Sequence, residues 1–194
     1  MSNEDFFDSA PAMQHCMADL ETMSTRPNAA ILSIGACTFD MKTLTIGEQF
    51  HTTIALKSCE DAGLHIDAAT VAWWQKQSEQ ARRAAFGGEQ LPLDKALDKF
   101  ADWLGTHMTE EKSRCIWGNG ANFDPVILDS AFRAADREPP WPFWGVRCFR
   151  TFKALWPNVD PPERTGTHHN ALDDAIHQVE WMFKIRRTLR GNQS

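Results

Sequence analysis

The stretch "MQHCMADLE", residues 13–21, decides how the rest of the chain is read. As a strand it turns Asp19 and Glu21, two residues apart, to the same face of a sheet. Two more strand-like runs follow, "AAILSIGACTFD" (29–40) and "TIGEQFHTTIAL" (45–56). Asp40-Met41-Lys42-Thr43 is the turn between them, and three strands on short connections predict an antiparallel meander.

Beyond the meander the period changes. "DAATVAWWQKQSEQARRAAF" (67–86) predicts one helix, with Asp67 as its N-cap and Gly87-Gly88 as its stop. Residues 92–104 predict a second helix with Leu93, Ala96, Leu97, Phe100, Ala101 and Leu104 on one face, ended by Gly105. "RCIWGNG" (114–120) then reads as a short buried strand and a Gly-rich loop, and "DPVILDSAFRAAD" (124–136) as a helix with Pro125 at its first position. A strand followed by such a crossover favours parallel pairing. "GVRCF" (145–149) is a last short strand, "RTFKALW" (150–156) is helical, and residues 157–167 form a Pro/Gly/Thr loop. A final helix from about Asn170 to Leu189 is expected to bury Leu172, Ile176, Val179 and Phe183. The whole predicts an α/β chain: a short flexible lead over residues 1–12, then one domain over 13–190 whose sheet is mixed.

Composition narrows the class. At 194 residues the chain can bury a core of its own. No run approaches the roughly 18 apolar residues of a membrane-spanning helix, and "MSNEDFFDSA" is acidic where a secretory leader is basic. A cytoplasmic protein with no membrane partner is the expectation. Cys16, Cys37, Cys59, Cys115 and Cys148 are odd in number and lack C-x-x-C spacing, which argues against a disulfide framework or a Cys-rich zinc site. A formal charge of −6 argues against a nonspecific coat on nucleic acid, though not against an enzyme that acts on it.

Three places carry chemistry. Acids paired on a core strand are costly unless a positive group lies between them, and a hard divalent cation suits carboxylate oxygens. Solvation at a strand end explains Asp19 and Glu21 about equally well. In "GNGANFDP" (118–125), Asp124 before Pro125 reads as an N-cap, which leaves the neighbouring Asn119, Asn122 and Phe123 unexplained. In "HHNALDDA" (168–175) the spacing His-x4-Asp occurs twice, as His168/Asp173 and His169/Asp174. Helical rotation of about 100° per residue puts both aspartates off the face centred on Leu172 and does not choose between the pairs.

An early "DLET", a middle "NFD" and a late "HNALDD" resemble the three motifs of the DEDDh 3′→5′ exonucleases, the superfamily of RNase T and the proofreading subunit of bacterial DNA polymerase III. The chain is most similar to a phage and bacterial branch described as exonuclease VIII-like or as 3′→5′ exoribonucleases, through "DLETMSTRPNAAILSIGACTFD", "TVAWWQKQSEQAR", "WGNGANFDP" and "HNALDDA". The likeness runs from about Met17 to Val179. It implies a ribonuclease H-like αβα sandwich with a mixed five-stranded sheet, the three-strand meander plus parallel strands.

The family pattern His, any residue, Ala selects His169, because Ala171 stands two residues after it; its partner is then Asp174. By resemblance, Asp19, Glu21, Asp124 and Asp174 hold two Mg²⁺ or Mn²⁺ ions, and His169 is the general base. Two such ions about 4 Å apart activate water and stabilise the leaving 3′ oxygen. Leu20, Thr22 and Met23 match positions that contact the terminal nucleotide, and Asn119, Asn122 and Phe123 are candidates for the substrate groove. The expected partner is nucleic acid with a single-stranded or 3′-overhanging end; homodimerisation is expected by analogy. Of Trp73 and Trp74, adjacent on a helix, one should be core and the other exposed. The family often carries Asp at the position of Cys148. Two other functions are open: a catalytically silent nucleic-acid-binding protein on the same fold, and an endonuclease on a ribonuclease H-like fold.

Overall fold

The computed structural model describes residues 14–191, so the expected lead over residues 1–12 lies outside the described residues. β1 (Gln14–Thr22), β2 (Ile31–Asp40) and β3 (Thr45–Ile54) form the antiparallel meander. β5 (Arg114–Gly118) lies parallel to β1 on its other side, and β6 (Val146–Cys148) parallel to β5. A two-residue strand, β4 (Gln90–Leu91), pairs parallel with the end of β3 and makes the order β4-β3-β2-β1-β5-β6. The sheet therefore has six strands rather than the five expected. Two residues followed by Pro92 carry no alternation from which a strand could be read.

Helices cover both faces, as the αβα sandwich requires. On one face, α4 (Leu93–His107) and α5 (Asp124–Ala134) bury Leu97, Phe100, Leu104, Ile127, Leu128 and Phe132 against Cys16, Ala18, Leu20, Ile34, Ala36 and Ile116. On the other, α6 (Phe149–Ala154) and α7 (Ala171–Gly191) pack Phe149, Val179, Met182 and Phe183 on Met17, Cys37, Cys115 and Trp117. Alternation along β1 thus gives Asp19 and Glu21 to the α7 face. Among the described residues no helix is long and apolar enough to cross a membrane. All five cysteines are free, four of them buried.

Several boundaries differ from the sequence reading. The run ending in Ala55-Leu56 does not stay extended: α1 (Leu56–Asp61) begins there. The helix expected over residues 67–86 is two, α2 (Ala68–Gln75) capped by Asp67 and α3 (Glu79–Phe86) capped by Ser78. The Ser78 hydroxyl accepts from Ala81 N, a local bond that competes with helix continuation. α4 runs through Gly105 because Leu104 and Met108 are both buried and hold the turn in place. In α7 the buried residues are Ala171, Ala175, Gln178, Val179, Met182, Phe183 and Ile185, while Leu172 and Ile176 are only half-buried. Small Ala171 and Ala175 let the helix lie close to the sheet, which turns the larger Leu172 aside.

Candidate active site

β1 and β5 are parallel, so their carboxyl ends lie together, and ligand sites of open α/β sheets gather at such ends. A cavity of about 650 Å³ opens there, lined by Asp19, Leu20, Glu21, Thr22, Trp73, Asn119, Phe123, Arg164, His169, Asp174 and others. The β1–β2 register shifts between Glu21 and Thr22, a bulge at the mouth of the cavity. α2 is docked beneath it by Trp74, whose indole Nε1–H donates to Thr22 O at 2.9 Å.

Each acid arrives by a different route. Asp19 and Glu21 come on β1. Asp124 is not the N-cap of α5, which is Phe123; its carboxylate reaches across the sheet end and accepts from Leu20 N at 3.3 Å and Asn119 N at 2.9 Å. A Cβ at Gly118 would lie 2.7 Å from Asp124 Oδ2, so only glycine ends β5 this close to the carboxylate. Asp174 comes on the first turn of α7. Asn170 caps that turn through its side-chain oxygen, which accepts from Leu172 N (3.1 Å) and Asp173 N (3.3 Å). The turn sits on Gly35, opposite Asp19 in the β1–β2 register. A Cβ there would lie 2.0 Å from Leu172 N.

The four carboxylates act on one another. Burial drives Asp19 well above the usual carboxylate range, and the charges of Asp124, Glu21 and Asp174 push it the same way, against a hydrogen bond from Gln178. Burial, then Asp174 and Asp124, push Glu21 up to about 8. Asp124 is raised by burial despite hydrogen bonds from the backbone of Asn119, Leu20 and its own residue and the charge of Arg150. Gln178 Nε2 donates to Asp19 Oδ1 at 2.7 Å, and Arg164 is ion-paired with Asp174. With one guanidinium at Asp174 and only a neutral amide at Asp19, the crowded carboxyl oxygens are a donor set that fits hard divalent cations. Glu21, His169 and Asp174 place ligand atoms within 4.8 Å of one another, another point of fit.

His169 stands at φ 62°, a left-handed conformation that costs a residue with a Cβ about 1 kcal/mol or more. Its amide donates to Asp174 Oδ2 at 3.0 Å, and its ring meets Trp73 edge-on at 5.0 Å. Of the tryptophan pair, Trp74 is core and Trp73 is 41% exposed. His168 is exposed and does not line the cavity. Met23 is buried in the core and Asn122 is exposed, and neither lines the cavity, whereas Leu20, Thr22, Asn119 and Phe123 do.

Asp173 is not a plain surface residue. Its Oδ2 accepts from Thr167 N at 2.7 Å, tying down the loop that carries Arg164 and His169. Asp173→Ala should therefore lower turnover by up to roughly tenfold, the loss of about one part-buried hydrogen bond, while His168→Ala stays near wild type. Equal rates for the two variants, measured on one labelled oligonucleotide, would deny Asp173 that part. Cys148, where the family often has Asp, caps α6 through Sγ, which accepts from Thr151 N at 3.3 Å; an aspartate would make the same bond.

Sequence reasoning missed Gln178, Gly35 and Arg164. Gln178 follows Asp174 by four residues and so shares its helix face, and a glycine inside a strand flags a close backbone approach. Arg164 sits in a proline-rich loop where a solvated arginine is the ordinary case.

Acids from β1, the start of α5 and the first turn of α7 thus meet, with His169 just before that turn, at the end of the first strand of a ribonuclease H-like sandwich. The profile of the 3′-5′ exoribonuclease Rv2179c-like domain matches residues 14–186, and the chain belongs to that family. Among solved structures it is similar to exonuclease I without ligand (15% identity, TM-score 0.61), covering 91% of this chain and 42% of that one. It is similar too to the nuclease domain of 3′hExo, described as a DEDDh family member bound to rAMP (14% identity, TM-score 0.58, 94% of both chains). A third is E. coli exonuclease I with a dT13 oligonucleotide (16% identity, TM-score 0.59, 93% of this chain and 42% of that one). The chain thus spans about two fifths of exonuclease I. No curated protein matches the sequence.

Proposed function

We propose that the protein removes nucleotides one at a time from the 3′ end of RNA, releasing nucleoside 5′-monophosphates with the help of two Mg²⁺ or Mn²⁺ ions. The observation that carries this is the crowding of carboxylates at the end of β1: Asp19, Glu21 and Asp174 line one cavity, Asp124 is hydrogen-bonded to Leu20 N beside it, and the charges of Asp124 and Asp174 bear on both Asp19 and Glu21. Divalent cations offset such crowded charge. The family description supports RNA as the substrate.

In this reading Asp19, Glu21 and Asp174 hold one ion, and Asp19 with Asp124 the second. Bound there, the ions supply an activated water and neutralise charge on the leaving 3′ oxygen. His169, next to Glu21 and Asp174, takes the proton of the attacking water at a ring nitrogen. Its edge contact with Trp73 and the hydrogen bond that its backbone N–H donates to Asp174 hold it in place. Leu20, Thr22, Asn119 and Phe123 wall the terminal nucleotide, and exposed Trp73 offers a face for a base.

The test is digestion of matched RNA and DNA oligonucleotides, single-stranded and 3′-overhanging, with Mg²⁺ or Mn²⁺. Chelator-sensitive release of 5′-monophosphates from RNA is expected. Cleavage of a circle, which has no 3′ end, would favour an endonuclease, and binding without release a silent binding protein. Protons and metal compete for the raised carboxyls. The metal concentration giving half-maximal rate should rise as pH falls from 8 towards 6, by about tenfold per pH unit for each proton displaced. A requirement constant over that window would contradict the assignment of Glu21.

A further inference from the structure

Of the residues that line the cavity, two carry a permanent positive charge, Lys153 and Arg164. The Lys153 ammonium is stacked over two rings, 5.0 Å from the centre of Phe149 and 4.7 Å from that of Trp181. Arg164 is the one set among the acids. Its Nη2 donates to Asp174 Oδ1, with only 19% and 18% of the two side chains exposed, and lies 3.4 Å from Thr167 O. Its Nε is buried and has no partner. The guanidinium is therefore held at one edge, with a donor left over that Asp174 does not reach. A phosphate presents several acceptor oxygens and suits that planar fork better than a single carboxylate oxygen.

The position of Arg164 is built rather than incidental. Asp173 ties Thr167 three residues on, and His169 N takes the other Asp174 oxygen, so both oxygens of Asp174 face the loop. A divalent ion that draws on Asp174 must loosen Arg164, because the cation and the guanidinium compete for the same carboxylate charge.

We propose that Arg164 is a phosphate-binding residue of the site that exchanges partners: it neutralises Asp174 when no divalent ion is bound, and passes to the phosphate of the 3′-terminal nucleotide when ions take the carboxylate. This rests on the proposed nuclease reading. It assigns Arg164 to the substrate's charge rather than to the proton transfer. It also makes the loop at residues 157–170 part of the substrate grip.

Adenosine 5′-monophosphate and adenosine are the probes, with Mn²⁺ affinity measured separately by calorimetry on the whole chain. Arg164→Met should bind Mn²⁺ alone several-fold more tightly than wild type. At saturating Mn²⁺ it should lose about 10- to 100-fold in affinity for the monophosphate, the range of one charged hydrogen bond. Adenosine, which lacks the phosphate, should bind as to wild type. The ratio of the two nucleoside affinities reports the phosphate contact alone, since a general loosening of the site would weaken both. Arg164→Lys keeps the charge without the fork and should fall between, providing a second reading if the methionine variant folds poorly. An unchanged monophosphate-to-adenosine ratio in both variants, or weaker Mn²⁺ binding in Arg164→Met, would overturn the proposal. Wild-type protein that binds neither Mn²⁺ nor the monophosphate would instead remove the nuclease reading and this inference with it.

Discussion

Glu21→Gln is expected to abolish nucleotide release and, in the same metal-free protein, to raise the melting temperature. Both follow from one fact: Glu21 is 6% exposed on β1 and its carboxyl is pushed up to about 8 by burial and by Asp174 and Asp124. A folded-state value above the unfolded one means that the folded protein binds the extra proton. The stability tied to Glu21 is then fully present below the unfolded value, near 4.5, and is lost as pH rises towards 8. At pH 7 the cost of holding it protonated, while the unfolded chain would ionise it, amounts to about 3 kcal/mol, from about 1.4 kcal/mol for each tenfold change in proton affinity. Glutamine keeps the shape and removes the penalty. The metal-free variant should melt several degrees higher at pH 8, and its melting temperature should depend less on pH. The same change takes away an oxygen proposed to hold metal, and turnover should fall by about 10³-fold or more, as for removal of a strong electrostatic contact to the transition state. The opposite signs are diagnostic. A structural glutamate would lose stability on substitution; a variant that is both less stable and still active would refute the assignment. In wild type, Mn²⁺ should recover the stability lost between pH 5 and 8, because bound metal takes the place of the missing protons.

How much of this could be read in the amino acids depends on whether a local signal existed. β1 was legible because D-x-E places two acids on one face whatever surrounds it. The meander was legible from run length and the turn at Asp40-Met41-Lys42-Thr43, and the crossover after β5 from the Gly-rich loop and the helix that follows it. Gln90-Leu91 was not, since two residues define no period. Ser78 is a good cap, yet it stood inside a stretch whose apolar spacing read as continuous helix, and the gap between α2 and α3 went unseen. The choice between His168/Asp173 and His169/Asp174 lay outside helical periodicity, because both pairs have the same spacing. In the structure a side chain discriminates: the Asn170 cap makes Ala171 the first helical residue, which aims Asp174 at Glu21 and turns Asp173 back to Thr167. Asp124 read as an N-cap because Pro125 follows it, and the backbone amides it serves come instead from Asn119, five residues back, and Leu20, on another strand. Contacts 104 residues apart leave no trace in a local pattern.

Gly35→Ala should be the most damaging single methyl group in the described domain. The added Cβ would lie 2.0 Å from Leu172 N, 2.1 Å from Ala171 C and 2.5 Å from Ala171 O. Those atoms are backbone, so no rotamer change relieves the clash, and the first turn of α7 must lift from β2. The turn carries Asp174, and the residue before its cap is His169, so lifting it opens the proposed metal site from one side while Asp19 and Glu21 stay on β1. Overpacking of this kind costs roughly 1–3 kcal/mol or more, and a displacement of about 1 Å at reacting groups can cost about 10²-fold in rate. Melting temperature and turnover should fall together, with Mn²⁺ binding weakened in step. Gly105→Ala is the comparison: inside α4, its Cβ would meet only Arg114 Nη2, at 3.9 Å. Alanine there should stabilise the protein by about 0.5–1 kcal/mol, the usual gain over glycine within a helix, with turnover unchanged. If Gly35→Ala digests oligonucleotides at the wild-type rate, α7 does not rest on β2 as described. The placement of Asp174 beside Glu21 would then have to come from the loop alone, and Asp173→Ala would be the variant that abolishes activity.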